Sequence, residues 1–484
     1  MASRPPSRPG QRDLTTGPIG SALLAFSLPT LGSNILQSLN GSINAIWVGR
    51  FLGEDAIAAT SNANIIMFLM FGAVFGFGMA ATILVGQSWG RRDVEGARRA
   101  FGSAIGLVLT ASIVVGALGW VFAPQILTAL ATPGRAMPLA LTYLRVIFLS
   151  LPASMLGVLI GMGLRGTGDS VTPLWFSALS VALDSGLNPV FIQGLGPIPR
   201  LGIAGSATAT LVANVVTLLG MAAFIHWRDL PLRLKGHELR YVLPRGALVR
   251  TIVSKGLPIG AQMLVISTAA LAMVGIVNRE GVATTAAYGI TQQIWAYVQM
   301  PALAIGAAVS AMAAQNIGAG RWDRVERITR AGLIYNVVLT GALVVLNMAF
   351  DHSVLRLFHL GPASLPIASR ISWISTWSFV LFGATMVLFG VVRANGAVLG
   401  PLLILFLSMF PVRLGIALLL RPWLGADALW WSFPAGSMSN LIMAALFYRY
   451  GNWRKGALRV PEPPEPEEQA HGVVEPAGTL KPAQ

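Results

Sequence analysis

The chain has 484 residues, 54% of them hydrophobic and only 11% charged, with no cysteine and a formal net charge of +15. Soluble domains carry about 25% charged residues, so this composition excludes an ordinary soluble globule, and the missing cysteine excludes both a disulfide framework and a thiolate metal site. The positive excess does not mark a nucleic-acid binder, because the basic residues sit in particular loops and no soluble segment is present to carry such a surface.

The apolar residues come in runs long enough to cross a bilayer as helices. Twelve are predicted, at 18–48, 56–85, 101–130, 138–164, 171–195, 202–227, 250–278, 283–314, 330–350, 366–391, 397–420 and 427–449. Ahead of them, MASRPPSRPGQRDLTTG (1–17) has basic residues but no apolar core with a cleavage site, and reads as a cytoplasmic tail rather than a signal peptide. With that tail inside, 25 of the 34 Lys and Arg fall on the inner side, a strong positive-inside bias. The expected location is therefore a cell (inner) membrane, multi-pass, with both termini cytoplasmic. Residues 229–249 read as a cytoplasmic linker, and the Pro- and Glu-rich 451–484 as a disordered cytoplasmic tail.

The same punctuation occurs twice. GLRGTGDSVTP at 163–173 answers GVVRANGAVLGP at 390–401, placing Arg165 against Arg393 and Pro173 against Pro401 at one spacing of 228. GQSWGRRDVEGARRA at 86–100 answers AQNIGAGRWDRVERITR at 314–330 at the same spacing, with Gln87 against Gln315. Six helices separate the copies, so both halves enter the membrane from the same side as parallel repeats. The fold class expected is all-α: a polytopic membrane protein whose twelve transmembrane helices form two pseudo-symmetric six-helix bundles around a central cleft. The lobes are expected at 18–228 and 250–450.

The repeated segments have local explanations. Gly, Asp and Asn beside Arg between two spans suit a tight turn, with the Arg meeting lipid phosphate or the last carbonyls of the preceding helix. RRDVEGARR and RWDRVERITR alternate Arg with Asp or Glu at helical spacing, which predicts short amphipathic helices on the cytoplasmic face. Gly72 with Gly76, and Gly157 with Gly161, have the spacing that lets helices approach closely. Arg145 and Arg413 stand inside predicted spans, where snorkelling is the bland account of each. Gln262, Gln292, Gln293, Tyr297, Trp373 and Trp377 are candidates for the second-lobe side of the cleft, to stack on or hydrogen-bond a planar substrate.

Of the 19 acidic residues, Asp184 in SVALDSGLNPVF (180–191) is the one deep in a predicted span. An Asp near the middle of a membrane helix costs about 2.5–3.5 kcal/mol even on lenient scales, so it calls for a function. Asn188, four residues on, shares its helical face, and Pro189 lacks the amide hydrogen that would bond back to residue 185. Helix 1 offers Asn34, Gln37 and Asn44 within about an 80° arc, and Asn34, Gln37 and Asn40 are expected to meet substrate. Burial favours the protonated carboxyl and amide donors favour the anion, so access to water would decide whether Asp184 holds a proton. The bland alternative is a buried polar fastener between helices.

At this point the chain resembles the multidrug and toxic compound extrusion (MATE) transporters over roughly 18–455. SLPTLGSNILQSLNGSINAIWVGRFLGEDAIAAT resembles the family's first helix and following loop, LRGTGDSVTP its helix 4–5 loop, LGIAGSATAT the start of its helix 6, and AAQNIGAGRWDRV its helix 8–9 loop. The resemblance implies cation-coupled efflux of organic, often cationic and aromatic, compounds by alternating access. It also implies roles near the acid for Tyr143 in helix 4 and Ser206 in helix 6.

Three departures from the family pattern stand out. The helix 1 acid common in the family is replaced by Asn44, the helix 5 Asn and Asp are exchanged as Asp184 and Asn188, and helices 7 and 10 lack the acids some members carry. Asp184, Asn188, Asn44, Tyr143 and Ser206 thus form the expected cation-coupling set. The coupling ion is expected to be a proton, with sodium as the alternative, since one carboxylate with amide and hydroxyl oxygens also suits a hard cation.

No enzymatic motif is present: the five His lack metal-ligand spacing and there is no phosphate-binding Gly-Lys-Ser/Thr loop. No cofactor is expected. Partners are expected to be small organic substrates and the lipid bilayer, without nucleic acid, for a monomer. A lipid-linked saccharide flippase shares the broad architecture but would favour a cleft dense in Arg or Lys.

Overall fold

The computed structural model describes residues 13–130, 132, 134–194, 199–243, 246–356, 358 and 361–455. With no water in the bilayer core, backbone polar groups must pair within their own segment, and these apolar runs accordingly form helices. The first half holds α1 (Ile19–Leu52), α2 (Glu54–Gly90), α3 (Val94–Ala129), α4 (Met137–Gly166), α5 (Val171–Gln193) and α6 (Ile203–Trp227). The second begins with α7 (Gly246–Val277), α8 (Val282–Val298), α9 (Met300–Gly318), α10 (Trp322–Ala349) and α11 (Asp351–Arg356). It continues with α12 (Ser364–Ser375), α13 (Ser378–Ala394), α14 (Leu399–Leu407), α15 (Gly415–Leu419), α16 (Arg421–Leu424) and α17 (Asp427–Tyr450). Among the described residues, eight straight or gently broken helices are long and apolar enough to cross a membrane, and α12 with α13, bent by 43°, makes a ninth. With α2, α5 and α17, of 37, 23 and 24 residues, they account for the twelve predicted spans.

Three spans of the second half are interrupted where the prediction ran straight. Between α8 and α9, Pro301 has no N–H to return to the Tyr297 carbonyl. The α12–α13 bend falls at Thr376 and Trp377. Between α14 and α15 the chain takes a π-helical turn over Ser408–Leu414, with Pro411 inside it. A π turn takes up one residue more than the α-helical pitch.

The amphipathic helices expected on the cytoplasmic face do not form. Val94 and Trp322 already begin α3 and α10, so the charged stretches are the first turns of long membrane helices. Asp93 caps α3 by accepting from the Gly96 amide at 2.7 Å, and Asp323 pairs with Arg327 at 2.6 Å one turn on. The turns themselves repeat. Gly168 and Gly396 take φ of 94° and 84° at the corresponding loops, a region open to Gly without steric cost.

On the face carrying the termini the halves are fastened by contacts that copy one another. Gln87 Nε2 donates to the Ala394 carbonyl at 2.6 Å, and Gln315 Nε2 to the Gly166 carbonyl at 2.8 Å. A Cβ on Gly90 would collide with the Gln315 carbonyl, and one on Gly318 with the Gln87 carbonyl. Gly76 lies equally close to the Gly256 carbonyl, as its spacing with Gly72 predicted, whereas nothing approaches Gly157.

The cores interlock across this face. Leu23 and Phe26 of α1 pack with Ile305, Val309 and Met312 of the second half, and Leu248, Ile252 and Ile259 of α7 pack with Leu84, Phe101 and Leu159 of the first.

Residues on either side of the membrane helices are tied down as well. Leu14 is fully buried, its carbonyl accepting from Asn316 at 3.0 Å, and Arg321 donates to the Thr15 carbonyl at 2.7 Å. Of the tails expected at 1–17 and 451–484, residues 1–12 and 456–484 lie outside the described residues, while 452–455 form a helical turn with Trp453 buried, not the disordered chain expected there. The linker is a strap on α3: Arg98 donates to Glu238 at 2.7 Å and to the Pro231 carbonyl at 2.9 Å, and Tyr241 to Glu95 at 3.1 Å. Burial pushes the Glu238 carboxyl up, but the Lys235 amide and the Arg98 guanidinium outweigh it and hold the carboxyl below its ordinary value.

Candidate functional site

Asp184 is 2% exposed, inside the first bundle. Three helices bring donors to its carboxylate. From α1, Asn40 Nδ2 donates to Oδ2 at 2.8 Å; from α6, Thr210 Oγ1 donates to Oδ1 at 3.0 Å. From α5 itself, Asn188 Nδ2 donates to Oδ1 at 3.2 Å and to the Asp184 backbone carbonyl at 2.9 Å, the relation its spacing predicted. A buried anion persists only when its lone pairs are so met. This arrangement also ties α1, α5 and α6 to one side chain.

A second polar group lies beside the first. Ser206 Oγ donates to Asn44 Oδ1 at 2.7 Å, and the buried Tyr143 phenol meets Asn44. Tyr143, Asn44, Ser206, Asn188 and Asp184 therefore come together in one lobe, with Asn44 reaching Ser206 rather than the acid.

Two placements depart from expectation. Asn40, assigned to substrate, is a direct partner of the acid. Gln37 and Asn34 remain apart from it: Gln37 is exposed, Asn34 half-buried, and neither hydrogen-bonds among the described residues. Thr210 was missed, although its spacing of four from Ser206 in SATAT puts both hydroxyls on one face of α6.

Not every acceptor around the acid is met. Asn40 Oδ1 and Asn188 Oδ1 are buried without a donor among the described residues. Both are hard amide oxygens next to a carboxylate, the ligand type that a small cation takes.

In the second lobe Gln262 does not line a cleft. It is 3% exposed and accepts from the buried Arg393 at 3.3 Å, while Arg393 also donates to the Phe389 carbonyl at 3.2 Å, as its loop position predicted. Gln292 is occupied by the Tyr288 hydroxyl at 2.8 Å. Arg145 lies over the Trp120 ring at 4.7 Å. Asp351, also buried, sits at a helix start and accepts from Ser369.

Comparison with known proteins bears on the fold and the family. The MatE family matches twice, over residues 29–190 and 258–419, one match for each half of the repeat. A Bacillus subtilis (strain 168) protein called "Probable multidrug resistance protein YoeA" is 33% identical, over 89% of this chain and 93% of its own length. A second from the same organism, "Probable multidrug resistance protein YpnP", is 30% identical over 91% and 97%. Among solved structures, one described as the outward-facing conformation of a multidrug resistance MATE family transporter superposes with a TM-score of 0.83. It has 22% identity and covers 90% of this chain and 96% of that one, a likeness of fold. Twelve spans in two repeated bundles, matched along both repeats, place this chain in the MATE family of multidrug efflux transporters.

Proposed function

We propose that the chain exports organic compounds by alternating access in exchange for protons, with Asp184 as the coupling acid. The observation that carries this reading is one buried carboxylate held by donors from three helices. Protonation turns one acceptor oxygen into a donor and leaves the carboxyl a weaker acceptor, so the bonds from Asn40, Thr210 and Asn188 weaken together. The packing of α1 and α6 against α5 then depends on proton occupancy, which is the differential contact a two-state carrier needs. Tyr143, Asn44 and Ser206 position α1 and α6 around that event, and Asn34 and Gln37, on the more open part of α1, remain the substrate contacts.

The membrane orientation consistent with this reading has both termini in the cytoplasm of a bacterial cell, which the distribution of Lys and Arg supports. One chain holds both bundles, so a monomer suffices. The named relatives are multidrug resistance proteins, which supports small organic substrates of varied shape.

A sodium-coupled version has its own support in the two unpartnered amide oxygens beside the carboxylate. Liposomes separate the readings. Gradient-driven export of a cationic dye should be lost in Asp184→Asn and should persist when sodium is replaced by potassium at fixed pH gradient. Wild-type rates in Asp184→Asn would remove Asp184 from the mechanism, and loss of export in potassium would select sodium.

A further inference from the structure

The repeat makes it possible to ask what the second lobe carries where the first carries its acid. Asp184 stands eleven residues past Pro173, near the start of α5, and Pro173 answers Pro401 near the start of α14. The π turn over Ser408–Leu414 takes up one residue, so the matching level in the second lobe is reached twelve residues past Pro401, at Arg413.

An independent contact gives the same match. Gly202 and Gly425, at the starts of α6 and α17, share a backbone conformation, with φ/ψ of 57°/−130° and 56°/−134°. Eight residues past Gly202 is Thr210, which touches Asp184; eight past Gly425 is Phe433, whose ring centre lies 3.6 Å from the Arg413 guanidinium carbon. The repeat thus sets an anion in one lobe against a cation in the other.

Their surroundings differ as much as their charges. Asp184 has three donors, whereas Arg413 has one polar contact among the described residues, a weak one from Nη1 to Met409 Sδ at 3.6 Å. Its Nε is buried without an acceptor, and no carboxylate pairs with it among the described residues. Around it stands an aromatic group: Phe433 lies 4.9 Å from Trp295 and 6.2 Å from Tyr288, and Tyr288 lies 5.8 Å from Trp430. Arg413 is six residues from the end of the α14–α15 span, roughly 9 Å at 1.5 Å per residue, which is deep for a cation with no counter-ion.

A planar guanidinium with free donors, lying over the Phe433 ring, is suited to an oxyanion attached to a flat ring. We infer that Arg413 forms a second binding site in the C-terminal lobe, selective for the carboxylate of an aromatic compound. The inference rests on the exporter reading for its physiological meaning, but the binding itself is testable without transport.

The probes are a rhodamine with a free aryl carboxylate and its methyl ester, which differ in that one charge. Binding to the purified protein is read by fluorescence anisotropy at fixed pH and salt, in detergent and again in nanodiscs of phosphatidylcholine or phosphatidylglycerol. Arg413→Gln should weaken the free acid about tenfold or more, the share of one charge-assisted contact, and move the ester less than about twofold. Arg413→Lys, which keeps the charge and loses the fork, should fall between and serves if the glutamine variant does not fold.

Equal weakening of both dyes, or of neither, overturns the inference. So does an acid preference that follows the anionic lipid rather than residue 413, since Arg413 would then be reaching a headgroup phosphate. Failure of the exporter reading looks different: neither dye would be transported by the native chain, while the acid-selective binding and its dependence on Arg413 would remain.

Discussion

At the face that carries the termini the two lobes are copies; at the level of Asp184 they are opposites. Gln87 and Gln315 make the same bond to matching carbonyls, and Gly90 and Gly318 admit each other's partner chain at the same closeness. Fourteen residues into helix 5 of the repeat, one lobe has a carboxylate with three donors and the other a guanidinium over a ring. A shared surface has to serve both partners, so duplication keeps it symmetric. An interior site serves one ligand, so the two interiors are free to diverge.

The largest effects should come from the symmetric face. Gly90→Ala and Gly318→Ala each force a methyl into the opposing backbone, at a cost of about 1–3 kcal/mol as overpacking. The two should lower the melting temperature alike and bias the carrier toward the state in which this face is parted. Gln87→Ala and Gln315→Ala leave a buried carbonyl unpaired, worth about 1–3 kcal/mol, again equally. An effect in one lobe alone would break the symmetry argument.

Smaller and one-sided effects are expected at the acid. Asn40→Ala and Thr210→Val each remove one hydrogen bond to the carboxylate and should slow gradient-driven export more than Ser206→Ala, whose hydroxyl reaches Asn44 instead. If Ser206→Ala proved the most damaging of the three, the ranking of contacts around Asp184 would be wrong.

The smallest effect concerns the strap, which rests on the first lobe only. The Glu238 carboxyl is held below its ordinary value, so its contribution is complete above the ordinary carboxylate range and disappears as pH falls through the depressed value. Hydrogen exchange over 229–243 should therefore rise under acid, and Glu238→Gln should show the raised exchange already at neutral pH. Equal protection in the two proteins at neutral pH would mean that Arg98 holds the strap through the Pro231 carbonyl alone.

Much of this architecture was legible because its physics is local. Twenty apolar residues announce a span, and a glycine that must take positive φ recurs wherever the fold repeats, so Gly168 and Gly396 fall in the two loops whose Arg and Pro revealed the duplication. Asp184 was legible for the same reason, as an unfavourable residue in an apolar run. What escaped depended on three-dimensional register. Thr210 and Asn40 reach the acid from other helices, and their roles turn on how α1 and α6 are rotated against α5. The match of Arg413 to Asp184 was hidden by one extra residue in a π turn, which shifts the repeat by a position that hydropathy does not register. The charged first turns of α3 and α10 were misread because amphipathic spacing is the same whether a helix ends or continues into the membrane.

The central claim is that Asp184 exchanges its proton as substrate binds. It is tested most directly by adding a cationic dye to the purified protein in weakly buffered solution and following pH with an indicator. The account predicts on the order of one proton released per dye bound by the native chain and none by Asp184→Asn at saturating dye. Undiminished release from Asp184→Asn would contradict it, because the proton would then be leaving another group.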